Sequence, residues 1–146
     1  MVYTPLTCFA MGIAYNAHHM QADKGGWPYI HHPMHVAEQM DDEDSTIVAL
    51  LHDVVEDSDI TIEELEAEGF RPHVIEAIDL LSRKKGQSYN DYIWKIKPNS
   101  LARKVKIADL EHNLDLTRLA CPSKEFLDHM KMYKKSLTYL QDITKI

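Results

Sequence analysis

The sequence predicts an all-α fold, and three observations carry that expectation. Apolar residues recur at helical spacing along the chain, whereas valine, isoleucine and threonine do not gather into alternating, strand-like runs. Helix start and stop residues punctuate the pattern at short intervals. Finally, 146 residues of which 45% are hydrophobic and 27% charged have the size and composition of one globular domain spanning residues 1–146. A chain of that size buries roughly two-thirds of its unfolded surface.

Taken in order, a first helix is expected from about Thr4 to Gln21, stopped by Gly25 and Gly26. Trp27-Pro28-Tyr29-Ile30-His31-His32-Pro33 reads as an extended loop turning into a second helix, with Pro33 suited to the first helical position. The run Ile47-Val48-Ala49-Leu50-Leu51 predicts a helix from about Asp44 to Asp57 that ends in charges. Thr61 with Glu64 forms a capping box opening a short helix, closed near Gly69. Pro72 opens the next, which Lys84, Lys85 and Gly86 close. A short helix is expected from Tyr89 to Ile96, a long one from beyond Asn99 to about Ala120, and a last one from Ser123 to near Ile143. The expected architecture is a bundle of irregular helices without repeats or long linkers.

The balance of 16 basic and 23 acidic residues gives a formal charge of −7. Such a chain repels polyanions at long range, and Arg83-Lys84-Lys85 is too small a cluster to track nucleic acid. A small phosphorylated ligand is compatible, because a bound cation reverses the local sign of the field. Cys8 and Cys121 have no metal-type spacing and suggest no disulfide framework. The chain shows no secretion signal at its start and no apolar run near the ~20 residues that span a bilayer, so the expected location is cytoplasmic, without a membrane partner. The oligomeric state is not legible.

The chemistry concentrates in three segments. In Leu51-His52-Asp53-Val54-Val55-Glu56-Asp57-Ser58-Asp59, spacings of three and four place His52, Asp53, Glu56 and Asp57 together on a helix. That helix begins as a wholly apolar run, so its acids are carried toward the core, where a carboxylate needs a compensating cation or proton. Glu56, Asp57 and Asp59 also crowd a helix C-terminus, where the macrodipole disfavours negative charge. No lysine or arginine lies nearby in sequence, and a divalent metal would relieve the conflict. In Val105-Lys106-Ile107-Ala108-Asp109-Leu110-Glu111-His112-Asn113, Asp109 is a lone acid among apolar neighbours with Asn113 one turn on, and His112 is expected to point elsewhere. In His31-His32-Pro33-Met34-His35, a histidine-rich loop at a helix start is a source of metal ligands. His35 is the rival ligand to His32. His18, His19, His73 and His129 read as surface or packing residues, and Tyr89, Tyr92 and Trp94 as packing.

Together with Ala17-His18-His19-Met20-Gln21, these segments resemble, in order and spacing, the HD-domain metal phosphohydrolases, in particular the hydrolase domain of RelA/SpoT homologues and the small alarmone hydrolases. The resemblance covers roughly residues 10–120. It implies an all-α HD-domain bundle holding one manganese ion on His32, His52, Asp53 and Asp109, with Glu56 and Asp57 orienting or deprotonating the attacking water. By ligand type alone, iron or zinc would also suit such a set. It further implies a small phosphorylated nucleotide as substrate, guanosine 3′,5′-bis(diphosphate), losing its 3′-pyrophosphate. Asn113 would then contact the sugar, and Lys24 and Lys106 the phosphates. No synthetase domain is recognisable, which implies a hydrolase-only role. This chain departs from the family pattern at Asp23, where a basic residue stacks on the guanine, at Leu110, and at Asp115, for which Arg118 is a possible substitute. These departures leave open another phosphorylated metabolite as substrate, or a non-catalytic nucleotide sensor.

Overall fold

The computed structural model describes residues 1–115, 117 and 123–145. Its helices are α1 (Pro5–His18), α2 (His31–Glu38), α3 (Glu43–Leu51), α4 (Val54–Asp57), α5 (Ile62–Ala67), α6 (Pro72–Leu81), α7 (Tyr89–Ile96), α8 (Ser100–Asn113) and α9 (Lys124–Gln141), followed by a 3₁₀ turn at Ile143–Lys145. Among the described residues there is no strand; Ala22 and Pro28 pair across the α1–α2 loop. The expectation of an all-α fold holds.

Helix α3 is the axis of the structure. Every residue from Ser45 to Leu51 is buried, because a helix that is apolar all round is stable only when neighbours cover each side. Helices α1, α2, α6 and α8 supply that cover. The core runs from Ala10 of α1 through Ile78 and Leu81 of α6 to Leu110 of α8 and Leu140 of α9. Capping sets where the helices begin: Thr4 and Thr7 form a reciprocal box on α1, the Asp42 side chain accepts from Ser45 N at 2.7 Å, and Ser88, Asn99 and Ser123 cap α7, α8 and α9.

Several boundaries differ from expectation. Helix α1 ends at His18, which frees Gln21 to donate its amide to Asp57 O at 2.7 Å. Helix α2 starts at His31, so Pro33 is its third residue, still within the first turn, where the missing N–H has no helical partner to lose. Thr61 accepts from Glu64 N as the capping half of its box. Helix α6 stops at Leu81, but Lys84 folds back to donate to the carbonyls of Asp79 and Ser82, and Gly86 takes φ +81° in the turn. Helix α8 ends at Asn113; Ala120, Cys121 and Arg118 lie outside the described residues. Trp94 is 64% exposed rather than packed.

The largest correction falls on the expected helix 44–57, which is broken between α3 and α4. His52 Nδ1 donates to Ala49 O at 2.6 Å, the carbonyl that a continuing helix reserves for the Asp53 N–H. Asp53 sits at φ −105°, ψ −3°, a bridge conformation found at turns and functional sites. The break turns His52 and Asp53 toward α2 and α8 instead of along a helical surface.

Candidate metal centre and cleft

Three elements converge where α3 breaks. His32 from α2, His52 and Asp53 from the α3–α4 turn, and Asp109 from α8 each present one ligand atom, all within 4.8 Å of one another. His32 Nε2 lies 2.8 Å from Asp109 Oδ1 and 3.7 Å from Asp53 Oδ2; His52 Nε2 lies 3.1 Å from Asp53 Oδ2 and 3.4 Å from Asp109 Oδ1. The four atoms thus alternate nitrogen and oxygen around a ring. Donors ~2.1 Å from one ion and at right angles stand ~3.0 Å apart, which these edges approximate.

His52 Nε2 is buried and makes no hydrogen bond. Its Nδ1–H is committed to Ala49 O, which leaves Nε2 facing the carboxylates as the atom offered to an ion. Burial opposes charge on His52, yet the Asp53 charge and the contact with Asp109 outweigh it and hold its pKa well above the usual imidazole value. Burial likewise opposes ionisation of Asp109, but the Lys106 charge prevails and keeps the carboxyl well below the usual range; His52 does the same for Asp53. Two ionised acids at 4% exposure and 18% side-chain exposure therefore demand positive charge, and the donor set fits a divalent ion.

Neighbouring groups hold the acids in place. Tyr29 donates to Asp53 Oδ2 at 2.6 Å, Lys106 Nζ to Asp109 Oδ2 at 2.7 Å, and Asn113 Nδ2 to Asp109 Oδ1 at 3.2 Å. Lys106 also stands 5.1 Å above the Tyr92 ring. Lys106 precedes Asp109 by three residues, one turn of α8, whereas no lysine or arginine lies within such a distance of Asp53 in sequence. His112, expected to point away, is instead buried with Nδ1 2.7 Å from His32 Nδ1. It lies three residues after Asp109, hence on the same helix face. His35 stacks on His112 with centroids 3.9 Å apart and is not among the four convergent residues.

His32, Asp53 and Asp109 of the cluster line a cleft of about 440 Å³, with His52 buried behind them. Glu56 and Asp57 face it, and partial desolvation there, with the nearby Asp53 charge, raises both their carboxyl pKa values. The Arg83 backbone N–H donates to Glu56 Oε1 and fixes the side chain. Lys24, Lys106 and Asn113 also line the cleft, so all nine residues singled out from the sequence are in or beside it. Asp23 lines it too, its Oδ1 accepting from Gly25 N at 2.9 Å and Trp27 N at 3.0 Å, and so shapes the loop that carries Lys24. Sequence reasoning missed Phe126, His129 and Tyr133, which α9 brings to the cleft on one face. Their i, i+3, i+7 spacing was the available signal.

Among the described residues, no helix is long and apolar enough to cross a membrane. A probable guanosine-3′,5′-bis(diphosphate) 3′-pyrophosphohydrolase of Synechocystis sp. is 32% identical over 134 residues, covering 82% of this chain and 18% of that protein. A guanosine-3′,5′-bis(diphosphate) 3′-pyrophosphohydrolase of Vibrio cholerae is 40% identical over 83 residues, covering 54% of this chain and 12% of the relative. The chain thus spans less than a fifth of the length of these relatives. A solved structure described as a metazoan ortholog of SpoT that hydrolyzes ppGpp superposes with a TM-score of 0.76 at 24% identity, covering 97% of this chain and 89% of that one, which shows a shared fold. The HD domain family model matches residues 10–106, which include His32, the His52-Asp53 pair, Glu56 and Asp57, and the chain belongs to the HD-domain family.

Proposed function

We propose that residues 1–146 form one metal-dependent phosphohydrolase domain that removes pyrophosphate from the 3′ position of a guanosine polyphosphate of the stringent response, in the cytoplasm. The observation that carries this reading is the ring of His32, His52, Asp53 and Asp109 at the wall of a cleft that also holds acids, lysines and aromatic rings. The relatives named for this reaction in Synechocystis and Vibrio support it.

His32, His52, Asp53 and Asp109 would hold the ion, for which we propose manganese. Bound there, it would polarise a phosphoryl oxygen and acidify a water molecule. The chain's own groups do the remaining work. Glu56 and Asp57, whose raised pKa values bring them nearer neutrality, accept the proton of the attacking water. Lys106 offers buried positive charge to a phosphate while keeping Asp109 ionised, and Lys24 offers a second charge from the opposite loop. Asn113 reaches the sugar from the last turn of α8, and Phe126, His129 and Tyr133 give the base an aromatic wall.

The test is turnover with Mn²⁺ across guanosine and adenosine nucleotides, with and without a 3′-pyrophosphate. Release of pyrophosphate from the 3′-substituted guanosine compounds alone, abolished in Asp53→Ala, is the expected result. Turnover of nucleotides lacking that group would assign a different substrate. Nucleotide binding without metal-dependent turnover would make the domain a sensor.

A further inference from the structure

The ligand set uses one histidine of the His31-His32-Pro33-Met34-His35 segment and leaves His112 unexplained. His112 is 4% exposed, and its Nδ1 lies 2.7 Å from Nδ1 of His32, with the rings 9° from parallel and centroids 4.9 Å apart. Such a gap between two imidazole nitrogens holds one proton, so one ring donates and the other accepts. The choice has consequences at the far side of His32. Its Nε2 faces Asp109 Oδ1 at 2.8 Å and is the atom offered to an ion. A coordinating nitrogen carries no proton, so His32 must keep its proton on Nδ1, and His112 must be the acceptor.

On the proposed ion site, we infer that His112 is a positioning residue that fixes the tautomer and ring plane of His32 toward a divalent cation. The comparison with His52 makes the role specific. There the same service comes from Ala49 O, a carbonyl that can only accept. An imidazole can do either, so the plane of His112 has to be held with Nδ1 toward His32. His35 stacks on it at 3.9 Å and 16°, and His31 meets it edge-on at 5.7 Å. The histidines flanking the ligand in sequence thus pack the group that orients it.

Equilibrium dialysis of the intact chain against Mn²⁺ alone, without substrate, tests this. In His112→Leu the acceptor is lost, His32 favours the tautomer with its proton on Nε2 toward Asp109, and Mn²⁺ affinity falls about 10- to 100-fold. In His112→Asn an amide oxygen stands near the former Nδ1, and affinity stays within a few-fold of the parent. Turnover of His112→Leu at saturating Mn²⁺ recovers, because the loss lies in ion binding. A His112→Leu variant that binds Mn²⁺ like the parent, or a His112→Asn variant as weak as His112→Leu, overturns the inference. A parent chain that binds no Mn²⁺ overturns the ion site and this inference together. Should His112→Leu not fold, nitrogen-15 NMR of the Zn²⁺-loaded parent decides: a His32 proton on Nδ1 supports the assignment, and one on Nε2 refutes it.

Discussion

Replacing Lys106 by methionine isolates the positive charge that the protein itself supplies to Asp109. The pair is i, i+3 on α8, with Nζ 2.7 Å from Oδ2 and side-chain exposures of 11% and 5%. At an effective dielectric near 20, two unit charges at that distance attract by about 6 kcal/mol. Desolvation offsets much of this, and removing one partner of a buried pair costs about 3–5 kcal/mol because the other charge is stranded. His32, His52 and Asn113 still contact Asp109, which places the expected loss near the lower bound, about 3 kcal/mol. That is a large share of a stability of order 5–15 kcal/mol, and corresponds to a Tm lowered by roughly 10 °C. The assay is urea and thermal unfolding of parent and Lys106→Met in chelator and again with Mn²⁺. The difference should shrink with Mn²⁺, because the ion neutralises the same carboxylate. The pH dependence has a definite sign. The Asp109 carboxyl is held below its unfolded value, so its contribution is present above that value and lost as pH falls through the folded one. The gap between parent and variant should therefore close in acid. A variant within 1 kcal/mol of the parent in chelator at neutral pH would refute the role of Lys106 as the buried counter-charge.

Glu56→Gln should lower turnover and leave an acidic limb set by Asp57, the other carboxyl that partial burial raises; since the raised Glu56 pKa costs the parent stability once pH exceeds it, the variant should be at least as stable at neutral pH, and lower stability would contradict the assignment. Asp42→Ala should lose the cap on α3 at a cost of about 1 kcal/mol by urea unfolding. The Ser45 N–H holds the Asp42 carboxyl below its usual range, so this loss should be present at neutral pH and vanish as pH falls through that lowered value. Phe126→Ala should raise KM for a nucleotide about 10-fold with kcat nearly unchanged, consistent with about 1–2 kcal/mol of lost stacking; an unchanged KM would remove the base from the α9 wall.

Much of this fold was legible because each helix carries its own local signal. Ser123 announces α9, Pro72 announces α6, and the run Ile47–Leu51 announces a helix that must be covered on all sides. The break after Leu51 was not legible. Spacings of three and four are equally satisfied by one continuous helix, and a histidine side chain that takes a backbone carbonyl from the helical ladder leaves no mark in the sequence. The assembly of His32, His52, Asp53 and Asp109 was anticipated through the family resemblance, since no local pattern joins residues 77 positions apart. For His112, the neighbour Asn113 gives no guide to the face it occupies, whereas its three-residue offset from Asp109 governs where it points. Phe126, His129 and Tyr133 form a stripe that core packing would produce equally well, and only the opening of the cleft beside α9 distinguishes them.

The central claim is that the acids at the broken helix exist to share one divalent ion with two imidazoles. Anomalous diffraction from crystals of the chain grown with Mn²⁺ tests it most directly. One strong peak is predicted, in contact with Nε2 of His32 and His52 and with the carboxylates of Asp53 and Asp109. A peak held by other residues, or none at that position in Mn²⁺-saturated crystals, would contradict it.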